Sequence, residues 1–386
     1  MAQFGDFTVD RNSTKYVLGS GGTIISYATD EPAFEFNADG SYKGLLVEPA
    51  ATNVMPYSED FSNWTPSSVT VATDTTTAPD GTTLAYAVTG NAGTATKRVS
   101  RGATISTLTT YTFSVFAKAG TNDYIQLISN VDGDGFANFD LSNGTVGTSG
   151  SDTTGVITDY GNGWYRCEAR FTSITAGANH GVYLMDSSSA THAQSAATTG
   201  SVYLWGAQVE DGPIATSYIP TTTASVTRNA DDITLGSASS LIGQTEGTLY
   251  IEVDWRLASG VNTWLLSVND GTSNNRILLY KDTSNILTMY ANANGVNATN
   301  QGESSTAYTG IQKIAFAYKT DDFELYRNGS SISSDTSGSL AALATLTDID
   351  LGQAFNLISQ ANMHIRAVAL YPARLSDAEA QALTTL

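Results

Sequence analysis

The side chains best suited to chemistry in this chain are aromatic rings set near arginine and asparagine. Sugars present apolar C–H faces, so a sugar site stacks them on Tyr or Trp and adds hydrogen bonds from Asn, Asp and Arg. Tyr250 lies out of phase with the apolar alternation of Leu249, Ile251, Val253 and Trp255, and Tyr280, Tyr290 and Tyr326 are read as facing outward. Arg276, Arg327 and loops carrying Asn292, Asn294, Asn297 and Asn300 stand beside them. These residues make the expected glycan site, with simple cross-strand packing as the alternative. Trp164, Trp205 and Trp255 are assigned to packing instead.

Other chemistry has little material. There is no Gly-x-Ser-x-Gly elbow, no His-Glu-x-x-His and no Gly-x-Gly-x-x-Gly after a strand, so no enzyme is expected. His180, His192 and His364 sit in unrelated contexts, and Cys167 alternates with Tyr165 and Ala169 as a packed thiol would. The carboxylate pairs Glu59-Asp60, Asp231-Asp232 and Asp321-Asp322 are sequence neighbours. In a strand they would face opposite sides, which does not suit the two-carboxylate work of glycoside hydrolysis. The loop Asp132-Gly133-Asp134-Gly135 has hard ligands at alternate positions, which raises a Ca²⁺ site on Asp132 and Asp134 against a plain hairpin turn. Asn269-Asp270-Gly271 and Asp348/Asp350 are weaker calcium candidates. No other cofactor is expected.

The elements that must position these groups are strands. Tyr111, Phe113 and Val115 alternate with small hydroxyls, and the stretches 165–171 and 249–257 repeat the period of two. Turn signals such as Asn143-Gly144, Asp270-Gly271 and Asn328-Gly329 separate such runs. One helix is expected at the end, where Ser376 and Glu379 have capping-box spacing. The fold class is therefore all-β, with two antiparallel jelly-roll or β-sandwich modules in tandem, a short N-terminal arm and a short C-terminal helix. The expected boundaries are an arm over 1–44 for docking or oligomerisation, a first module over 45–225, and a second over 231–386. Pro220 to Asp232, rich in threonine, reads as a linker that proteolysis would cut to leave two stable fragments.

Charge narrows the partners. With 37 acidic against 18 basic residues the net charge is -19, which argues against nucleic acid and anionic membranes. No apolar run is long enough to span a bilayer, and residues 1–6 lack signal-peptide character.

Specific motifs add a resemblance. The run Gly44-Leu45-Leu46-Val47-Glu48-Pro49, then Tyr111 to Lys118, Gly161-Asn162-Gly163-Trp164-Tyr165-Arg166, and Trp205-Gly206-Ala207-Gln208-Val209-Glu210 resemble, in order, a carbohydrate-binding-like jelly roll common in bacteriophage virion proteins. Arg11-Asn12-Ser13-Thr14 resembles the leader of that module. Phe323 to Gly329 and Val368 to Glu379 resemble the concanavalin A-like (laminin G-like) lectin sandwich. The resemblance implies a non-enzymatic virion subunit (tail fibre, spike or decoration protein), made in the host cytoplasm, that presents lectin-like domains to host-surface glycans. A purely structural capsid or tail subunit is the alternative. A polysaccharide depolymerase or a secreted adhesin ranks lower. The implied partners are other virion proteins through residues 1–44 and two further copies of the chain in a homotrimer; Phe4, Phe7, Tyr16, Phe34 and Phe36 would make that contact or, equally, dock within the chain on the first sandwich.

Overall fold

The computed structural model describes residues 4–106, 109–129, 135–172, 179–255, 262–303, 310–355 and 360–386. Period two does what it should: Leu249, Ile251 and Val253 leave one face of the strand Glu246–Trp255 and enter a core, while Tyr250 leaves the other. Every strand pairing is antiparallel, and the strands build two sandwiches of opposed sheets. Among the described residues no helix is long and apolar enough to cross a membrane.

The first sandwich packs two six-stranded sheets over Phe113, Val115, Ile125, Leu127, Phe139 and Val182. Cys167 lies in this core, where burial pushes its thiol well up. The central strand Thr110–Ala119 is buried on both faces rather than half-buried. Its outer face is covered by the segment 212–221 and by an N-terminal hairpin. Under that cover Trp164 donates its indole N–H to Thr77 O, and Trp205 donates to Thr83 Oγ1, so both tryptophans are structural. Gly206, at φ +63, sits in a bulge where a Cβ would come within 2.8 Å of the Phe116 ring. That close approach explains the glycine of the Trp205-Gly206-Ala207 motif.

The second sandwich opposes two seven-stranded sheets. One runs, in spatial order, Thr8–Asp10, Asp232–Leu235, Asp348–Leu351, Thr263–Asn269, Arg276–Lys281, Leu287–Ala293, Val296–Gly302. The other runs Ser330–Asp335, Asp322–Arg327, Gly310–Lys319, Glu246–Trp255, Met363–Tyr371, Tyr42–Val47, Phe34–Phe36. Asn328 and Gly329 both take positive φ, which closes the hairpin the Asn-Gly pair called for. The helix Asp377–Thr384 carries the capping box: Glu379 N–H donates to Ser376 Oγ, and Ser376 N–H donates to Glu379 Oε2.

The N-terminal segment is not an arm. Thr8–Asp10 extends one sheet of the second sandwich, and Phe34–Phe36 with Tyr42–Val47 extends the other. The expected boundary after residue 44 falls inside a strand. Between these strands, the hairpin Lys15–Leu18 and Ile24–Tyr27 lies on the first sandwich, with Leu18 and Ile24 against Phe116, Trp164 and Trp205. Of the two uses expected for the aromatics, an oligomer contact or docking within the chain, the structure shows the second, mostly on the other sandwich: Phe7 is core there, Phe4 and Phe34 pack on that core, Phe36 meets Tyr42, and only Tyr16 reaches the first sandwich, at Tyr218.

The linker is likewise built in. Val226–Arg228 pairs with Ala51–Asn53, and Arg228 and Asp231 are buried. Around them Asp231 takes Arg11 Nη1 at 3.1 Å and Lys15 Nζ at 2.6 Å, Lys15 Nζ reaches Glu48 Oε2 at 3.1 Å, and Arg228 Nη2 lies 3.5 Å from the same oxygen. All five side chains are at most 1% exposed. Three cations and two anions thus clasp the two sandwiches where the leader, the Glu48-Pro49 motif and the linker converge.

Candidate functional site

Four strands of the second sandwich present the candidate surface. On Arg276–Lys281, Ile277 and Leu279 enter the core, which turns Arg276, Leu278 and Tyr280 to the outer face. Leu287, Met289 and Ala291 do the same next door and turn Tyr290 and Asn292 outward. Register then decides the neighbours: Tyr290 stands opposite Leu278, Asn292 opposite Arg276, and Trp264 opposite Tyr280. The Trp264 and Tyr280 rings lie 4.7 Å apart at 39°. The Arg276 guanidinium sits 5.1 Å from the centroid of Tyr290. Tyr280 donates its hydroxyl to Asn300 Oδ1 at 3.3 Å.

Trp264, Tyr280, Tyr290 and Arg276 are all half-buried, so their edges and faces are tied down while part of each remains reachable. Leu278 between them is fully buried and gives the patch an apolar floor. Burial raises the Tyr280 phenol, and a hydrogen bond with Thr288 opposes the rise, with Arg276 adding a smaller opposing effect. Three polar atoms here are buried without a hydrogen-bond partner: Trp264 Nε1, Arg276 Nε and Asn292 Oδ1. Such a surface can stack sugar rings and donate hydrogen bonds.

Beside this patch, Ser267 and Asp350 face each other on the same sheet face. Asn269 Nδ2 donates to Asp350 Oδ2 at 2.6 Å. Burial pushes the Asp350 carboxyl up to about 7; the Asn269 hydrogen bond opposes the rise, and Asp232 and Asp348 add to it.

Three of the six sequence-picked residues therefore come together: Tyr280, Tyr290 and Arg276. Tyr250 and Tyr326 point away from the core as their phase required, but the C-terminal helix lies on that face. They are buried there with Ala315, Ala317 and Ala380. Tyr326 donates its hydroxyl to Asp377 Oδ1 at 2.7 Å, and Tyr250 donates to Glu252 Oε2 at 3.4 Å. Both are corrected to packing residues. Arg327 is locked in a two-pronged pair with Glu303 at 2.9 and 3.0 Å, so it does not join the site.

Sequence reasoning missed Trp264. Period two puts it in phase with Leu266 and Val268, both core residues. A bulge between Trp264 and Leu266 shifts the register and leaves the indole against Tyr280, on the outer face. Nothing in the local sequence marks that bulge.

The Asp132 and Asp134 calcium loop lies outside the described residues. Among the described residues no group of three or more His, Cys, Asp or Glu is placed to hold a metal ion. Asp270 caps its own turn through Thr272 and Asn275. The members of the carboxylate pairs are engaged by separate contacts or held in an ion pair. Glu59 accepts from Tyr218 while Asp60 caps the turn Phe61–Asn63; Asp231 enters the clasp while Asp232 meets Gln353; Asp322 pairs with Arg374. The first sandwich offers a shallow cleft of about 290 Å³ lined by Thr110, Asp152, Thr154, Arg170 and Phe171, with Arg170 held by Glu168 at 3.3 Å.

No family model matches the chain, and no curated protein does. Among solved structures it is similar to the Ruminococcus gnavus IT-sialidase CBM40, at 18% identity and a TM-score of 0.33 over 38% of this chain and 86% of that one. It is also similar to the NanB sialidase from Streptococcus pneumoniae, at 15% identity and a TM-score of 0.34, covering 39% of this chain and 26% of that one. A heptameric SAP-like pentraxin from Limulus polyphemus matches at 12% identity and a TM-score of 0.30, over 36% of this chain and 70% of that one.

Proposed function

We propose that this chain is a non-enzymatic adhesion subunit of a phage particle, a fibre, spike or decoration protein, that offers the Trp264–Tyr280–Tyr290–Arg276 face to host-surface glycans. One observation carries the reading. Three half-buried rings and an arginine share one sheet face, whereas Trp164, Trp205, Tyr250 and Tyr326 are spent on packing. The virion setting is supported by the sequence motifs alone. Stacking with two or three hydrogen bonds gives roughly 4 to 5 kcal/mol, near-millimolar affinity. Many copies on a particle turn that into useful adhesion.

Homotrimeric assembly belongs to the same proposal, with its contact now to be sought outside residues 1–44. The ion-paired clasp favours a second reading, a rigid structural subunit without ligand. A glycan array probed with the full chain, displayed multivalently, separates the two. Binding that disappears in Trp264→Ala and in Tyr290→Ala supports the adhesion role. Absence of binding to any host glycan favours the spacer, and binding untouched by both changes would mean the wrong surface was chosen.

A further inference from the structure

We infer that the ligand of this face is an acidic oligosaccharide, held with its oxyanion at Arg276 and its sugar rings along Tyr290, Tyr280 and Trp264. The inference rests on the adhesion reading and narrows it to a ligand class. Arg276 is unlike the other described arginines. Each of those donates a hydrogen bond or forms an ion pair, whereas Arg276 does neither and only stacks on Tyr290. In a chain with 37 acidic residues, a half-buried guanidinium without a counter-charge is out of keeping with its surroundings. Its cross-strand neighbours are amides, Asn269 and Asn292, not carboxylates.

A planar guanidinium takes a carboxylate, sulfate or phosphate through two parallel hydrogen bonds, and leaning on an aromatic ring pre-orients it for that task. Arg276 and Tyr280 are four residues apart on one strand, about 13 Å at about 3.3 Å per residue. Tyr290 flanks that line on one neighbouring strand, opposite Leu278, and Trp264 flanks it on the other, opposite Tyr280. That length exceeds one sugar ring, so the face suits an oligosaccharide with its charged residue at one end. The net charge of -19 repels such a ligand at a distance. Screening confines that repulsion to about 8 Å at physiological ionic strength and leaves the contact with Arg276 intact.

The test uses the full chain and four probes in isothermal titration: a hexuronic-acid tetrasaccharide, its carboxyl-reduced neutral counterpart, a sugar-phosphate oligomer of similar length and its dephosphorylated form. The wild type is expected to bind at least one charged probe about tenfold more tightly than its neutral counterpart, the worth of one charge-assisted contact. Which charged probe wins identifies the source of the oxyanion. Arg276→Met should bring that ratio to about one, and Arg276→Lys should restore part of it, with circular dichroism unchanged in both. Equal binding of charged and neutral probes by the wild type, lost in Trp264→Ala, would overturn the acidic ligand while leaving the sugar site standing. Absence of binding to all four would overturn both.

Discussion

Replacing Asp231 by Asn should destabilise the whole chain, not just one module. Asp231 is 1% exposed and accepts from Arg11, from Lys15 and from the backbone N–H of Glu48. The clasp holds three cations against two anions, all at most 1% exposed; the amide leaves three against one. Removing one partner of a buried pair costs about 3 to 5 kcal/mol, against about 5 to 15 kcal/mol for the whole stability of an ordinary domain. Asp322, which is half-exposed beside Arg374, provides the control, since such surface pairs are worth about 0 to 1 kcal/mol. Urea unfolding at neutral pH, followed by tryptophan fluorescence, reads both variants. The wild type should unfold in one transition, because strands before residue 48 complete the sheets of the second sandwich and the hairpin between them lies on the first. A loss below about 1 kcal/mol in Asp231→Asn, no larger than in Asp322→Asn, would refute the clasp. So would two separate transitions in the wild type.

Three further outcomes follow from individual side chains. Asp350 is neutral in the fold up to about pH 7, against an ordinary value of 3.8, so the folded state holds the proton longer than the unfolded one. Stability should therefore fall as pH rises from about 4 to 7, by about 4 kcal/mol at about 1.36 kcal/mol per pH unit. Asp350→Asn should flatten that slope in urea titrations, and an unchanged slope would contradict the assignment. His180 runs the other way: fully buried between Phe113 and Phe171 with neither ring nitrogen partnered, its imidazole is pushed down to about 3 by burial. Stability is lost as pH falls from about 6.5 towards 3, and His180→Leu should remove that acid sensitivity. Tyr326→Phe loses its bond to Asp377, so thermal unfolding should register a loss of about 1 to 2 kcal/mol, with glycan binding unaffected.

What was legible in the sequence was local. Alternation fixed which residues of 249–253 face inward, the Asn328-Gly329 pair fixed a hairpin, and Ser376 with Glu379 fixed a helix start, because each depends on atoms a few residues apart. Partners across long separations were not legible. Tyr42–Val47 pairs with Met363–Tyr371, and Arg11 meets Asp231 across 220 positions, so an apparent arm and an apparent linker became strands and a clasp. The site shows the same division. Phase correctly sent Tyr250 and Tyr326 outward, yet phase cannot say that a helix returns to cover them. It brought out Tyr280 and Tyr290, and it missed Trp264 because one bulge reverses the face.

The most direct test of the proposed face is the indole N–H region of a ¹H–¹⁵N spectrum, recorded as sugar is added to the full chain. Trp264→Phe identifies the Trp264 signal, which comes from an N–H with no hydrogen-bond partner, beside the Tyr280 ring. Trp64, Trp164 and Trp205 donate to Tyr57, Thr77 and Thr83 inside the first sandwich. A glycan that the array scores as bound should shift the Trp264 signal in a saturable way and leave those three in place. Saturable shifts in the three, with Trp264 unmoved, would put the ligand on the first sandwich and contradict the proposed site.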